Sequence, residues 1–135
     1  MRVIAKYCQL SFIVLLMAFT AAKAEMGEAD SISPKQASVM YAEQKAVIID
    51  VREDSEWNEQ HIPGAIHIPL AQLSGRLPEL KQYKDSAVIT QCRTGGRSAQ
   101  ALDVLKSAGF TQVYNMDGGI KAWDNAGLKT ERPIK

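Results

Sequence analysis

Cysteine is nearly missing from this chain: Cys8 and Cys92 are the only two in 135 residues. Two cysteines are too few for a disulfide framework, and they lack the short spacing of a dithiol redox motif. Histidine is as sparse. His61 and His67 have no cysteine or acidic partner at ligand spacing, so no metal site is expected, and nothing in the sequence asks for a cofactor. A basic excess is missing too, because 16 Lys and Arg against 15 Asp and Glu leave a formal charge of +1, which gives no footprint for nucleic acid. No apolar run reaches the roughly 20 residues needed to span a bilayer. There are no internal repeats and no low-complexity tract. What is present, 46% hydrophobic and 23% charged residues over 135 positions, is the composition of one packed globular domain.

Part of the apolar content belongs to the N-terminus. Arg2 and Lys6 make a positive start, residues 10–22 a short apolar core, and Ala22-Lys23-Ala24 a small-x-small cleavage pattern, so residues 1–24 read as a secretory signal. Its removal takes Arg2, Lys6, Lys23 and no acid, leaving 13 basic against 15 acidic residues and a formal charge of −2. Cys8 lies ahead of the apolar core and leaves with it. The expected product is periplasmic, not stably inserted in a membrane, and carries one thiol, Cys92. A lone thiol in an oxidising compartment has no internal partner and is a liability unless buried or used.

Along the rest of the chain, residues 25–31 read as a flexible leader, residues 32–128 as the domain and residues 129–135 as a tail. Ser33-Pro34 has the chemistry of an N-cap followed by a first helical residue, opening a helix to about residue 43 that buries Ala37, Val39 or Met40. Residues 47–51 form a β-branched run without alternation, which suits a strand covered on both faces of a parallel sheet. Asp50 closes that run, where it either accepts from loop amides, holds an arginine, or merely caps the next turn. Residues 54–60 read as a short helix with Trp57 turned into the core. A brief strand follows at 65–67, then two short helical pieces in 70–80 that present Leu70, Leu73, Leu77 and Leu80, and a solvated connection at 81–86. Residues 87–90 make a second buried strand, 97–108 a helix stopped by Gly109, 112–116 a third strand, and 120–126 a last helix with Trp123 in the core. Strands alternating with helices predict an α/β fold with a central, mostly parallel sheet flanked by helices.

Chemistry concentrates in residues 90–98, Thr-Gln-Cys-Arg-Thr-Gly-Gly-Arg-Ser. The cysteine stands in a strand-to-helix turn whose glycines allow the loop to curl with its amides converging, while the first free N–H groups of the helix add partial positive charge. Arg93 and Arg97 flank it, and cations beside a helix N-terminus lower a thiol pKa from about 8.5 toward neutrality. The expected consequence is a reactive thiolate, Cys92, in an anion-binding cradle of Arg93, Thr94, Gly95, Gly96, Arg97 and Ser98.

Three motifs in order now carry a resemblance. Asp50-Val51-Arg52, with Glu56-Trp57 and the run from His61 to Pro69, is the first. Cys92 to Ser98 is the second. Gly109-Phe110, Val113-Tyr114 and the run from Gly118 to Trp123 form the third. Over roughly residues 32–128 the chain resembles the single-domain rhodanese family, and looks most like its small exported members of the phage-shock type. The resemblance implies a sulfurtransferase: Cys92 attacks the sulfane sulfur of thiosulfate or a similar small anionic donor, becomes a persulfide, and hands the sulfur to a thiophilic acceptor, cyanide or a thiol, with ping-pong kinetics. It implies that the amides of residues 93–98 cradle the persulfide and the donor, with Asp50 and Arg52 in support and no cofactor. Arg93 directly after the nucleophile is more like thiosulfate-type than mercaptopyruvate-type loops. A monomer is the favoured form. The alternative is a sulfur carrier or partner-binding module of the same fold with little thiosulfate turnover. A related fold hosts cysteine phosphatases, whose loop places five residues between Cys and Arg; Arg93-Thr94-Gly95-Gly96 places four, a smaller cradle that favours sulfur.

Overall fold

The computed structural model describes residues 30–133. The expected signal at 1–24 lies outside the described residues, as do residues 25–29 of the expected leader. From the N-terminal side the elements are β1 (Ser31–Ile32), α1 (Pro34–Ala42), β2 (Ala46–Asp50), α2 (Asp54–Glu59), β3 (Ile66–His67), α3 (Leu70–Leu73), a 3-10 helix (Ser74–Tyr83), β4 (Ala87–Gln91), α4 (Gly96–Ser107), β5 (Gln112–Met116) and α5 (Gly119–Asn125). The five strands form one sheet in the order β1-β5-β4-β2-β3, every pairing parallel.

The two apolar runs occupy the middle of the sheet, as continuous β-branched sequence requires. Successive side chains point to opposite faces, so each run feeds two cores. Ile49 and Val88 pack with Leu73, Leu80, Leu105 and Phe110 under α3, the 3-10 helix and α4. Ile48 and Ile89 pack with Ala37, Met116, Ile120 and Trp123 under α1 and α5. At about 25 cal/mol per Å² of apolar surface, each such buried aliphatic side chain contributes roughly 1.5–3 kcal/mol. After β2 the chain goes out to β3 on one side, then returns to β4 and moves on to β5 on the other. The carboxyl ends of β2 and β4 flank that reversal, where open α/β sheets leave a crevice. Asp50 pairs in register with Gln91 there, immediately before Cys92.

Five local expectations change. Residues 30 and 31 are not free leader: Ser31 and Ile32 pair with Asn115 and Met116 as an edge strand too short and polar to show a pattern. Of the three candidates for burial in α1, Ala37 is buried and Met40 packs against the same core, while Val39 is 56% exposed. Trp57 is half-buried and outside both cores. The second piece of 70–80 is a 3-10 helix that tolerates Pro78 and runs to Tyr83 through part of the expected connection. The tail is anchored as well. His61 and Glu131 exchange both backbone hydrogen bonds at 2.9 and 2.8 Å, and the Trp123 indole donates to the Lys129 carbonyl at 2.9 Å. Among the described residues no helix is long and apolar enough to cross a membrane.

Candidate active site

Cys92 directly follows β4 and is only 1% exposed. The chain then turns through Gly95, whose φ of 112° is a conformation that glycine alone adopts easily, and enters α4 at Gly96. That turn aims the Gly95 N–H at the cysteine sulfur, 3.0 Å away, and the first turn of α4 brings the Ser98 hydroxyl to 3.3 Å. Burial pushes the Cys92 thiol up, but the Ser98 hydroxyl and the amides of Ser98, Gly95 and Thr94 outweigh it, and the thiol ends below its ordinary value.

The arginines behave differently from expectation. Arg97 turns to Glu56 of α2 and grips it with two bonds of 2.6 and 2.7 Å. The Arg97 guanidinium holds the Glu56 carboxyl down to about 2, and Glu56 in turn raises the Arg97 pKa. Arg93 is exposed and makes no ion pair among the described residues. Hydrogen-bond donors of the loop and helix hold the thiol low, while Arg97, gripped by Glu56, still acts on the sulfur electrostatically.

Asp50 holds an arginine, one of its three expected roles. Both its oxygens accept from Arg52, at 2.7–3.1 Å, and Oδ1 also takes the Arg52 backbone N–H at 3.0 Å. Arg52 then donates to the carbonyl of Gln60 at 2.7 Å. Both side chains are almost wholly enclosed. The cap of α2 falls to Glu53, so Asp50 is no cap for that helix. The pair braces the strand end and the segment beyond it without touching the sulfur. Two histidines sandwich Trp57 nearby, His61 at 3.7 Å and His67 at 4.7 Å between ring centroids, both nearly parallel to the indole. Their nitrogens meet the Trp57 carbonyl, Glu131 and the Arg52 carbonyl.

Three further residues shape the site without having been named among its candidates from the sequence, although Glu56 and Gly119 belong to the motifs that carry the resemblance. Glu56 is the anchor for Arg97. Gly119, at φ 59°, lies so close that a Cβ would overlap the carbonyls of Cys92 and Arg93, and the next two amides, of Ile120 and Lys121, bind those same carbonyls at 2.8 and 3.2 Å. Asn115 accepts from Ser98 at 2.6 Å and donates to the Gly95 carbonyl at 3.2 Å. A polar amide near the carboxyl end of an otherwise mostly apolar strand, on the same sheet edge as Cys92, was the available signal. Beside the loop opens a cavity of about 230 Å³ whose walls include Arg93 and Lys121 as well as Glu56, Glu59 and Asp124.

Comparisons with known proteins bear on the fold. Residues 33–126 match the family model described as the Rhodanese-like domain. The chain is 32% identical over 106 residues to a sulfurtransferase of Allochromatium vinosum, a match covering 78% of this chain and 94% of that protein. It is 40% identical over 76 residues to a Bacillus subtilis protein named as a sulfur carrier, YrkF, covering 56% of this chain and 40% of its relative. Against three other curated relatives the match spans 55%, 61% and 26% of their length. Among solved structures, thiosulfate sulfurtransferase from Pseudomonas aeruginosa superposes with a TM-score of 0.70 at 29% identity, covering 78% of this chain and 20% of that one.

Proposed function

The chain belongs to the rhodanese-like domain family, and from that membership we propose that it transfers sulfane sulfur from thiosulfate, or a donor of the same anionic kind, through a persulfide on Cys92. The observation that carries this reading is the buried sulfur of Cys92 with the Gly95 N–H at 3.0 Å and the Ser98 hydroxyl at 3.3 Å. Such donors stabilise a sulfur anion at this position. The thiolate attacks the outer sulfur of thiosulfate, the donor's S–S bond breaks, and sulfite leaves with its electron pair. An acceptor nucleophile, cyanide or a thiolate, then attacks the terminal sulfur and Cys92 departs as thiolate. Arg93 faces the cavity unpaired and suits the charge of the donor. Thr94, Gly95, Gly96 and Ser98 supply the cradle, while Arg97, held by Glu56, keeps the first turn of α4 in register.

The test is intact mass before and after thiosulfate. One sulfur is gained on the peptide containing residue 92 and lost on adding cyanide; no gain, or a gain elsewhere, overturns the reading. The likeness to YrkF favours a second version, in which the persulfide forms but thiosulfate-to-cyanide turnover is slow and a protein or thiol partner is the true acceptor. A mass gain without sustained turnover selects it. We further propose that residues 1–24 direct export to the periplasm, as in small rhodaneses of the phage-shock type. Recovery of a periplasmic product beginning at Glu25 supports this, and retention of the uncleaved chain in the cytoplasm overturns it.

A further inference from the structure

Ser98 has one hydroxyl hydrogen and three acceptors for it. Its oxygen, in a fully buried residue, lies 2.6 Å from Asn115 Oδ1, 3.1 Å from the Gly95 carbonyl and 3.3 Å from Cys92 Sγ. The hydroxyl cannot easily move away, because Thr90 Oγ1 donates to the Ser98 carbonyl at 2.9 Å and ties the first turn of α4 to β4. Asn115 cannot readily turn its amide either. Nδ2 donates to the Gly95 carbonyl at 3.2 Å, which leaves Oδ1, an acceptor only, facing Ser98. While Cys92 is a neutral thiol the arrangement is satisfied: the thiol hydrogen points to Ser98 Oγ, and the serine hydrogen to Asn115. Once the thiol proton leaves for solvent, sulfur becomes an acceptor and competes with Asn115 for the same hydrogen.

We propose that Asn115 is a positioning residue that sets the acidity of Cys92 through Ser98, drawing the hydroxyl hydrogen away from the resting thiol and yielding it when a sulfur anion forms. This rests on the reading of Cys92 as the sulfur-accepting nucleophile. It adds a resting state in which the thiol is less exposed to ionisation than its amide cradle alone would make it. Around the loop the charged groups are Arg97 with Glu56 of α2, Arg93, Lys121 of α5 and the Arg52–Asp50 pair at the end of β2, and beside Asn115 stand Asp103 and the Lys106–Asp30 pair; among the described residues none hydrogen-bonds to the Ser98 or Asn115 side chain. The loop keeps its shape without Asn115, since the Gly95 carbonyl also accepts from the Ala99 amide at 3.1 Å.

The experiment follows iodoacetamide alkylation against pH in the full chain carrying Cys8→Ser, so that Cys92 is the sole thiol. Asn115→Ala releases the serine hydrogen to sulfur, and the midpoint of thiolate formation falls by about half a pH unit or more, with alkylation near pH 6 faster by about threefold. Asn115→Asp holds the hydrogen harder and moves the midpoint up. With Ser98→Ala as background, Asn115→Ala leaves the midpoint where Ser98→Ala alone puts it. A midpoint unchanged or raised by Asn115→Ala, or a fall that persists without Ser98, overturns the proposal. If Asn115→Ala does not fold, Asn115→Asp decides, because its rise must be larger with Ser98 than without it. Alkylation needs no sulfur donor, so failure of sulfur transfer shows separately, as a missing mass gain in the unsubstituted chain.

Discussion

The loop at 92–98 and the segment at 50–67 stand side by side at the carboxyl edge of one sheet and are held by opposite means. In the loop the cysteine sulfur meets neutral donors, the Gly95 amide and the Ser98 hydroxyl, and its carbonyl is pinned by the Ile120 amide. In the segment, charges and rings hold one another: Arg52 on Asp50, Trp57 between His61 and His67. Glu56 of the same segment reaches across and takes the hydrogen bonds of Arg97, whose charge acts on the sulfur only through space. The lesson is that charge here builds the wall and dipoles build the site. A cradle of fixed dipoles can accept an anion, release it and accept another, whereas a full charge bound to the sulfur would hold it.

That contrast is most severely tested by Cys92→Ala. It abolishes the mass gain with thiosulfate, while the denaturation midpoint reports a stability loss of only about 1 kcal/mol, since a single small buried group is deleted. Asp50→Asn attacks the other region. It leaves Arg52 buried and uncompensated, costs about 3–5 kcal/mol by denaturant titration, and lowers the transfer rate through the loosened strand end. An unchanged midpoint in that variant makes the pair ornamental and erases the distinction between the regions. Arg93→Ala removes the one exposed guanidinium facing the cavity; at low salt it lowers kcat/KM for thiosulfate by about tenfold, one charge-assisted contact, and leaves melting unchanged. The smallest effect belongs to Glu56→Gln. The folded Glu56 pKa of about 2 lies below its ordinary 4.5, so its stabilisation is present above pH 4.5 and fades as pH falls toward 2. The melting difference between the unsubstituted chain and Glu56→Gln is therefore small at pH 6 and closes by about pH 2, its size limited because the pair is partly open to solvent.

Much of this was readable along the chain because it is local. The runs at 47–51 and 87–90 declare central parallel strands, and Cys92, Gly95 and Ser98 lie within one loop and one helical turn. What stayed hidden depends on residues distant in sequence: Glu56 meets Arg97 41 positions on, and Asn115 meets Ser98 across 17. Local pattern also misled where a residue's type has two outlets. Trp57 read as core because aromatic rings usually fill cores, yet imidazoles four and ten positions later cover both its faces. The two arginines read as thiol activators from proximity in sequence alone, and a carboxylate in another helix decided otherwise for one of them.

The anchored tail has a practical corollary. The family match stops at residue 126, but Trp123 leans on Lys129 and His61 is zipped to Glu131. A gene fragment cut at the family boundary deletes the strap over the very stretch that carries Arg52 and the indole sandwich. Expression work on this chain should keep residues through 131 and place any affinity tag beyond them on a spacer, or the material in the tube will be a frayed version of the protein.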